Sequence, residues 1–395
     1  MTYHFKFAFQ LFRSMKKLTY LIFTMLTSTT MAVAQLPALI PYRNAMNEWG
    51  YCNAQKQIII PCQYTDAIPF ANGVAWVQTN KLWGLINTKG QWVYPAKSDY
   101  PPDPFTKSLA VIKVNGSYGC INKAGKEVVP PIYNALRRND NSTYIAVNKS
   151  GRWGIIDSTG KEIVPAMYND AGPFYEGLAS VKINGKWGFI DMNNKLVIPA
   201  EYDFVKDFNS GIAPVRKAEL WGYINKTGQI VLPITYEWCE ALEGGLGYAR
   251  NQDGDALIDK TGKPITPFSF GAVYTSTNPY IIVRNRDERY GVIDRTGKVI
   301  VPMVHDDMGV RVTEGLVPTE QKGLWGFINL KNQWVIKPQY IYASHFVNGI
   351  AKVKMQLMDN TYVYGYIDKT GKKYWDVAND KPAKPKSNND DDDLF

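Results

Sequence analysis

The sequence predicts an all-β tandem-repeat fold from three features: a ten-fold internal repeat, two hairpin turns in each copy, and a central strand that is apolar on both faces. The repeat is registered on one glycine, which recurs at steps of 34 or 35 residues and, at the end, of 39. The ten positions are Gly50, Gly84, Gly119, Gly154, Gly188, Gly222, Ala256, Gly291, Gly326 and Gly365.

A tryptophan stands directly before this glycine in most copies. Tyrosine replaces it at Tyr118, Tyr290 and Tyr364, and Asp255 replaces it in one degenerate copy. We interpret the tryptophans as the structural core of the repeat: Trp49, Trp83, Trp153, Trp187, Trp221 and Trp325.

The sequence of each copy predicts three antiparallel strands. In the copy at 178–199, "LASVKI" is a strand, Asn184 and Gly185 form a two-residue type I′ turn, and "KWGFID" returns. The polar string "MNNK" then turns the chain into a third strand, "LVIP". One copy is therefore a three-stranded meander.

The second turn of the copy has its own residue pattern. It runs Asn or Asp, two further residues and Gly, as from Asp157 to Gly160, which suits a type I turn followed by a positive φ. A proline follows the apolar run, and we expect it to end the third strand because it cannot donate to a ladder. These prolines are Pro130, Pro165, Pro199, Pro233 and Pro302.

The central strand predicts how the copies pack. Side chains alternate across a strand, so Trp187 and Phe189 share one face while Gly188 and Ile190 share the other. Both faces are apolar, so each copy needs a neighbour on each side. We predict about ten three-stranded meanders in an open, superhelical, solenoid-like array. A closed β-propeller-like ring is the alternative. It ranks second because propellers usually have four to eight four-stranded blades, whereas this chain has ten copies of about three strands.

This pattern resembles the bacterial WG (or KWG) repeat family. The resemblance rests on Trp-Gly, then Ile-Asn or Ile-Asp, a Lys-Thr-Gly-Lys type turn, an apolar run and Pro-x-x-Tyr, and it covers about residues 45–375. It implies a β-rich array of bacterial origin and brings no catalytic residue with it.

The first 34 residues predict a signal peptide. Lys16 and Lys17 precede an apolar run, and Ala32-Val33-Ala34 supplies the small residues of a cleavage site, which we place before Gln35. Met15 is an alternative start codon for the same segment. The apolar run is too short to span a bilayer, so we expect no stable membrane span after cleavage. The predicted organisation is then the signal region 1–34, the repeat array 35–377 and a disordered acidic tail 378–395.

Composition excludes several protein classes. The chain has 395 residues, of which 45% are hydrophobic and 21% charged, as in an ordinary globular protein. The formal charge is +9, and the signal region contributes part of it, so the remaining excess is too small to predict nucleic-acid binding.

Catalytic and metal-binding patterns do not emerge from the sequence. Downstream of the signal region the histidines are His305 and His345, in different copies, and His305 occupies the place of the Pro-x-x-Tyr tyrosine. Asp253 and Asp255 stand near a glycine in "NQDGDALID", but this string lacks the other ligands of a calcium loop. We expect no enzyme activity, no metal and no cofactor.

Four cysteines remain: Cys52, Cys62, Cys120 and Cys239. An oxidising envelope compartment permits disulfides, and Cys52 with Cys62 flanks one hairpin of the first copy. They are the candidate disulfide bridge, although the turn places them at offset positions on adjacent strands and not directly opposite each other.

Positions that vary between copies are candidates for binding. Eight places after the glycine the chain accepts Glu, Lys and Trp alike, which indicates exposure and makes Trp92 and Trp334 candidate ligand contacts. We interpret the protein as a non-catalytic protein-binding scaffold, exported to the periplasm, the outer surface or the medium. Its expected partner is an envelope or extracellular protein, and the alternative is glycan or peptidoglycan binding through exposed aromatic rings.

Overall fold

A computed structural model describes residues 36–100, 105, 109–138, 142–357 and 361–376. Within these ranges the chain forms 36 strands in ten antiparallel sheets, which we number blades 1 to 10 in chain order. The predicted signal region 1–34 and acidic tail 378–395 lie outside the described residues. The described part of the chain has no helix that could cross a membrane.

The first five blades contain β1 to β18. Their strands are, in blade 1, β1 (Ile40–Arg43), β2 (Trp49–Cys52) and β3 (Ile58–Tyr64); in blade 2, β4 (Asp66–Ala67), β5 (Val74–Thr79), β6 (Leu82–Asn87) and β7 (Trp92–Ser98); in blade 3, β8 (Leu109–Val114), β9 (Ser117–Asn122) and β10 (Glu127–Tyr133); in blade 4, β11 (Ala135–Arg137), β12 (Tyr144–Lys149), β13 (Arg152–Asp157) and β14 (Glu162–Tyr168); and in blade 5, β15 (Asp170–Ala171), β16 (Leu178–Ile183), β17 (Lys186–Asp191) and β18 (Leu196–Tyr202).

The other five blades contain β19 to β36. Their strands are, in blade 6, β19 (Phe204–Val205), β20 (Ile212–Lys217), β21 (Leu220–Asn225) and β22 (Ile230–Tyr236); in blade 7, β23 (Trp238–Cys239), β24 (Leu246–Asn251) and β25 (Gly254–Asp259); in blade 8, β26 (Ala272–Tyr274), β27 (Tyr280–Arg284), β28 (Tyr290–Asp294) and β29 (Val299–His305); in blade 9, β30 (Asp307–Met308), β31 (Leu316–Gln321), β32 (Leu324–Asn329) and β33 (Trp334–Tyr340); and in blade 10, β34 (Tyr342–Ala343), β35 (Ile350–Gln356) and β36 (Tyr362–Asp368).

The predicted meander and its turns are confirmed. In blade 5, β16 pairs with β17 and β17 with β18, all antiparallel. Asn184 and Gly185 have φ of 50° and 85°, as a type I′ turn requires. In the second turn of blade 4, Asp157 Oδ1 accepts hydrogen bonds from the backbone N–H of Thr159 at 2.8 Å and of Lys161 at 3.1 Å.

We expected the prolines to end the third strand, and this prediction is wrong. Pro199 lies inside β18, between Ile198 and Tyr202, where the register shifts against β17. It therefore sits in a bulge, a place where a missing donor costs no ladder hydrogen bond. The repeat glycine faces this bulge, because a Cβ on Gly188 would lie 2.5 Å from the carbonyl oxygen of Ile198. The close neighbour of the glycine is thus its own outer strand.

The core lies between blades, as the two apolar faces predict. Trp187 and Phe189 of β17 pack on one side with Val215 and Phe208 of blade 6. Ile190, on the other face of the same strand, packs with residues of blade 4. Five of the six repeat tryptophans are buried, and Trp325 is half-buried against the core between blades 9 and 10.

The sheets close into a ten-bladed ring, so the prediction of an open array is wrong and the propeller alternative is right. Trp375 forms a parallel bridge with Arg43 of the first strand, and Asp376 N–H donates to the carbonyl of Arg43 at 2.9 Å. The ring centroids of Trp49 in blade 1 and Tyr366 in blade 10 are 6.0 Å apart. Blade 10 therefore packs on blade 1.

A short fourth strand distinguishes the observed propeller blades from the predicted three-stranded meanders. The segment after Pro-x-x-Tyr forms a two-residue strand such as β19, which pairs with β20 of the next blade, Val205 opposite Val215. Each copy therefore extends into the following sheet and gives most blades the four strands of a propeller. In most blades this short strand is the first of the sheet, and several of the short strands line a channel at the centre of the ring.

Candidate functional site

The central channel is a concave feature formed by several blades. Its volume is about 1160 Å³, and the segments that line it belong mainly to the inner strands of blades 4 to 7. Blades 3, 8 and 9 complete the wall with Tyr118, Asn278 and Arg311. The short strand that follows each Pro-x-x-Tyr therefore positions the side chains that face the channel.

The charges in the channel wall are nearly balanced. The cations of the described lining are Arg137, Arg138, Lys206 and Arg311, and its acids are Asp170, Asp207 and Glu243. Several are already paired: Arg137 with Asp170 at 2.5 Å, and Lys206 with Glu240 at 2.6 Å. A wall of paired charges suits a polar ligand of low net charge better than a strongly charged one.

Asp207 differs from the other acids of the wall in its raised pKa. Its Oδ1 accepts a hydrogen bond from Ser180 Oγ at 3.4 Å, and burial raises the pKa of its carboxyl to about 6. Because the folded chain binds this proton more tightly than the unfolded chain, the stabilising contribution is full below the ordinary pKa. It is lost as the pH rises from about 4 to about 6.

Asp207→Asn is therefore expected to stabilise the protein more at pH 7 than at pH 4, relative to wild type. Asparagine stays uncharged, and each unit by which a pKa is raised corresponds to about 1.4 kcal/mol. Urea unfolding of both proteins at the two pH values measures the difference. Asp203→Asn is the matched control with the opposite sign, because the hydrogen bond from Lys186 holds the pKa of Asp203 below its usual range. An equal effect of Asp207→Asn at both pH values would contradict the assignment.

The two predicted contact tryptophans lie on outer strands, away from the channel. Trp92 begins β7 of blade 2, is 47% exposed, and has its ring 6.2 Å from that of Tyr64. Trp334 begins β33 of blade 9 and is half-buried, 6.5 Å from the ring of His305. They occupy equivalent positions in different blades, and their role in binding stays a prediction.

The two histidines hold ordinary places in the repeat. His305 pairs with Tyr290 as Tyr202 pairs with Trp187, and its Nε2 lies 2.7 Å from Asn332 Oδ1. His345 lies in blade 10, and burial lowers its pKa. The structure does not bring the two into one site.

All four cysteines lie in the described part of the chain and are free thiols in this structure. Cys52 is buried, and burial raises the pKa of its thiol to about 12. Cys62 is half-buried, with its Sγ 3.9 Å from the carbonyl oxygen of Tyr42. Their pairing under oxidising conditions stays a prediction.

Sequence reasoning missed the partner of Asp255. This acid replaces the repeat tryptophan in blade 7, its side chain is almost fully buried, and Arg250 holds both of its oxygens, Nε to Oδ1 at 2.6 Å and Nη2 to Oδ2 at 3.0 Å. Arg250 stands directly opposite Asp255 in the β24–β25 pair, so the strand register contained the clue. Asp255, the central acid of the string at 251–259, therefore forms an ion pair with Arg250.

Comparison with known proteins identifies the repeat. The model of the WG containing repeat matches nine segments, at residues 49–83, 83–118, 118–153, 153–187, 187–221, 221–255, 257–288, 290–325 and 325–356. The chain belongs to the WG containing repeat family. Each WG repeat runs from the tryptophan of one blade to that of the next, so it supplies the outer strands of one blade and the inner strands of its neighbour. No curated protein matches the sequence significantly.

Solved structures are similar to this chain at low sequence identity, and the initiation factor structure supports the fold alone. A eukaryotic initiation factor structure matches with a TM-score of 0.53 and 9% identity, covering 77% of this chain and 95% of its own. Hsv2p of Kluyveromyces lactis gives a TM-score of 0.37 and 13% identity, with 68% and 97% covered. PorZ, a bacterial surface component of the type-IX secretion system of Porphyromonas gingivalis, gives 0.30 and 10%, with 88% and 53% covered.

Proposed function

We propose that this chain is an exported, non-catalytic WG-repeat propeller that binds a glycan in its central channel. The observation that carries the proposal is the chemistry of the wall, which combines aromatic rings with hydroxyl, amide and charged groups. Rings in the lining include Tyr100, Tyr118 and Phe204, of which Tyr100 and Phe204 are exposed, and amides include Asn209 and Asn278. Sugars present apolar ring faces and many hydroxyl groups, and this wall offers partners for both.

The size of the channel supports an extended ligand. Pockets for small molecules usually enclose about 300–1,000 Å³, and the channel of about 1160 Å³ exceeds that range. The near balance of charge in its wall favours an uncharged or weakly charged chain of sugars over nucleic acid or an acidic polymer. A glycan therefore explains the size, the polarity and the aromatic content together.

Export belongs to the same proposal. The predicted signal peptide and cleavage before Gln35 would deliver the propeller to the periplasm, the outer surface or the medium, where cell-wall and surface glycans are found. Our initial interpretation, a scaffold for an envelope protein, becomes the competing outcome. Exposed apolar residues of the outer strands, such as Ile59, Trp92 and Ile230, are where such a partner would bind.

Filling the channel is expected to weaken glycan binding at least tenfold. Thr277 is an exposed residue of the channel wall in blade 8, so Thr277→Trp places an indole in the channel with little cost to the core. Thr235→Trp puts the same side chain on the exposed outer strand β22. An array of bacterial surface oligosaccharides and peptidoglycan fragments, followed by titration calorimetry, should show at least a tenfold loss for the first variant and none for the second.

Two results would count against a glycan in the channel. Equal affinity of both variants for the array glycan would exclude the channel as its site. Failure of the wild-type protein to bind any glycan, together with retention of a specific envelope protein, would return the function to protein recognition. In that case Trp92→Ala tests the outer strands as the binding surface.

A further inference from the structure

The second turn of every blade lies on the same face of the ring. This turn follows the central strand, as residues 191–195 do between β17 and β18 of blade 5. Because the blades share one antiparallel order, their second turns stand at corresponding ends. Lys226 in the second turn of blade 6 pairs with Glu176, which lies in the loop before β16 of blade 5. That loop therefore belongs to the same face.

The second turns contact neighbouring blades around this face. A Cβ on Gly160 of blade 4 would lie 3.1 Å from the carbonyl oxygen of Val128 in blade 3. At the closure of the ring, Lys372 Nζ of blade 10 donates to the carbonyl oxygen of Ala54 in the turn of blade 1. We call the ten turns together the basic rim. They are residues 53–57, 87–91, 122–126, 157–161, 191–195, 225–229, 259–263, 294–298, 329–333 and 368–372.

The basic rim concentrates the positive charge of the protein. Its ten turns hold fourteen Lys or Arg against five Asp. This excess of nine equals the formal net charge of the whole chain, +9, so the remaining residues are neutral in sum. A few rim cations are paired, as Lys369 is with Glu314. Lys89, Lys126 and Lys195 are exposed, and none of them forms an ion pair with a described residue.

The opposite face of the ring differs because its cations meet acids. On that face the outer strand ends, and the chain passes to the next blade through an acidic residue such as Asp99, Asp203 or Asp306. Lys186 in the first hairpin of blade 5 pairs with Asp203, and Arg289 of blade 8 pairs with Asp306. The two faces therefore differ in charge, and an anionic partner is favoured at the rim.

Exposed apolar side chains stand beside the rim cations. The residue directly after the turn begins the outer strand, and in blades 1, 5, 6 and 8 it is apolar and 43–60% exposed: Ile58, Leu196, Ile230 and Val299. Met192, within the turn of blade 5, is 37% exposed. Cations attract anionic lipid headgroups, and apolar side chains enter the boundary between headgroups and acyl chains. A solvated polyanion would leave these apolar side chains in water, so the combination favours a lipid surface.

We propose that the basic rim docks on the surface of a bilayer that contains anionic lipids. The ring then lies with this face against the headgroups, and the opposite face is directed away from the bilayer. The attraction between lysines and anionic lipids falls off within a Debye length, so salt weakens the docking. This docking is independent of glycan binding, because no residue of the described channel lining belongs to the rim turns.

Co-sedimentation with lipid vesicles tests the proposal. The probes are vesicles of phosphatidylcholine alone and vesicles of equal parts phosphatidylcholine and phosphatidylglycerol. Wild-type protein should sediment with the anionic vesicles and be released by added salt. The triple variant Lys89→Gln/Lys126→Gln/Lys195→Gln is expected to lose about tenfold or more in partition to the anionic vesicles, because each lysine near such a surface contributes to the attraction. Binding to phosphatidylcholine alone measures any contribution that does not depend on lipid charge.

Lys81→Gln/Lys149→Gln/Lys322→Gln is the matched control. These three lysines are exposed, lie at first hairpins on the opposite face, and form no ion pair with a described residue. The control removes the same charge and should keep wild-type binding to the anionic vesicles.

Three results would overturn the rim as a docking surface. The first is an equal loss in both triple variants, which would reflect net charge alone. The second is equal binding of wild-type protein to both kinds of vesicle. The third is binding of wild-type protein to soluble polyphosphate and to neither kind of vesicle, which would assign the rim to a soluble polyanion. Titration with the array glycan should give wild-type affinity for both triple variants, so this proposal and the channel proposal fail separately.

Discussion

Trp83→Ala is expected to lower the free energy of unfolding by about 3–5 kcal/mol, the usual cost of emptying a large aromatic core site, and still to leave one sharp transition. Trp83 is buried between blades 2 and 3, where it packs with Leu85 and Ile112. In an open array this loss would uncouple the two halves. In the closed ring the halves stay joined through blades 10 and 1. Urea unfolding followed by fluorescence and by circular dichroism should therefore give coincident curves.

Trp92→Ala, in the same blade, is the matched comparison. Trp92 is half exposed, so its loss should cost less than about 1.5 kcal/mol, near the range of surface substitutions. Two separate transitions in Trp83→Ala would show that the blades unfold independently in spite of the closure at Arg43. Equal destabilisation by both changes would contradict the division between core and surface within the repeat.

The sequence predicted what lies within one repeat and missed what joins repeats. Hairpins such as that at Asn184 and Gly185 are set by local residue chemistry, and the two apolar faces of the central strand follow from alternation alone. Ring closure involves Trp375 and Arg43, which are far apart in the chain, so no local pattern predicts that they meet. The two-residue strands are too short for alternation to reveal, so their pairing with the next blade is set by tertiary contacts.

The candidate site was missed for the same reason, because it is formed by contacts between repeats. Many residues of the channel lining follow Pro-x-x-Tyr, and Phe204, Lys206 and Asp207 all lie in one such stretch. Single-sequence reasoning selected Trp92 and Trp334 because they stand out at an exposed position of the outer strand. Only the ring geometry shows that variable residues of the inner strands of several blades face one another.

The second large effect is expected in the degenerate blade. Arg250→Ala should cost about 3–5 kcal/mol, because it leaves the carboxylate of Asp255 buried without its partner. Arg250 forms two hydrogen bonds to Asp255, and its Nη2 also lies 3.5 Å from the carbonyl oxygen of Gly271. Urea unfolding at neutral pH measures the loss. Arg284→Ala in blade 8 is the comparison, since Arg284 holds the equivalent place opposite Tyr290, where no buried charge is left behind.

The double variant Arg250→Ala/Asp255→Ala separates the burial of a charge from the loss of packing. Removing both partners leaves no uncompensated charge, so the double variant should be more stable than Arg250→Ala alone. The coupling energy from this cycle should be clearly above the 0.2–1 kcal/mol that is roughly usual for exposed pairs. The second change would lower stability further if Asp255 stabilised blade 7 mainly through packing. That result would remove the ion pair as the reason why an aspartate replaces the repeat tryptophan in this blade.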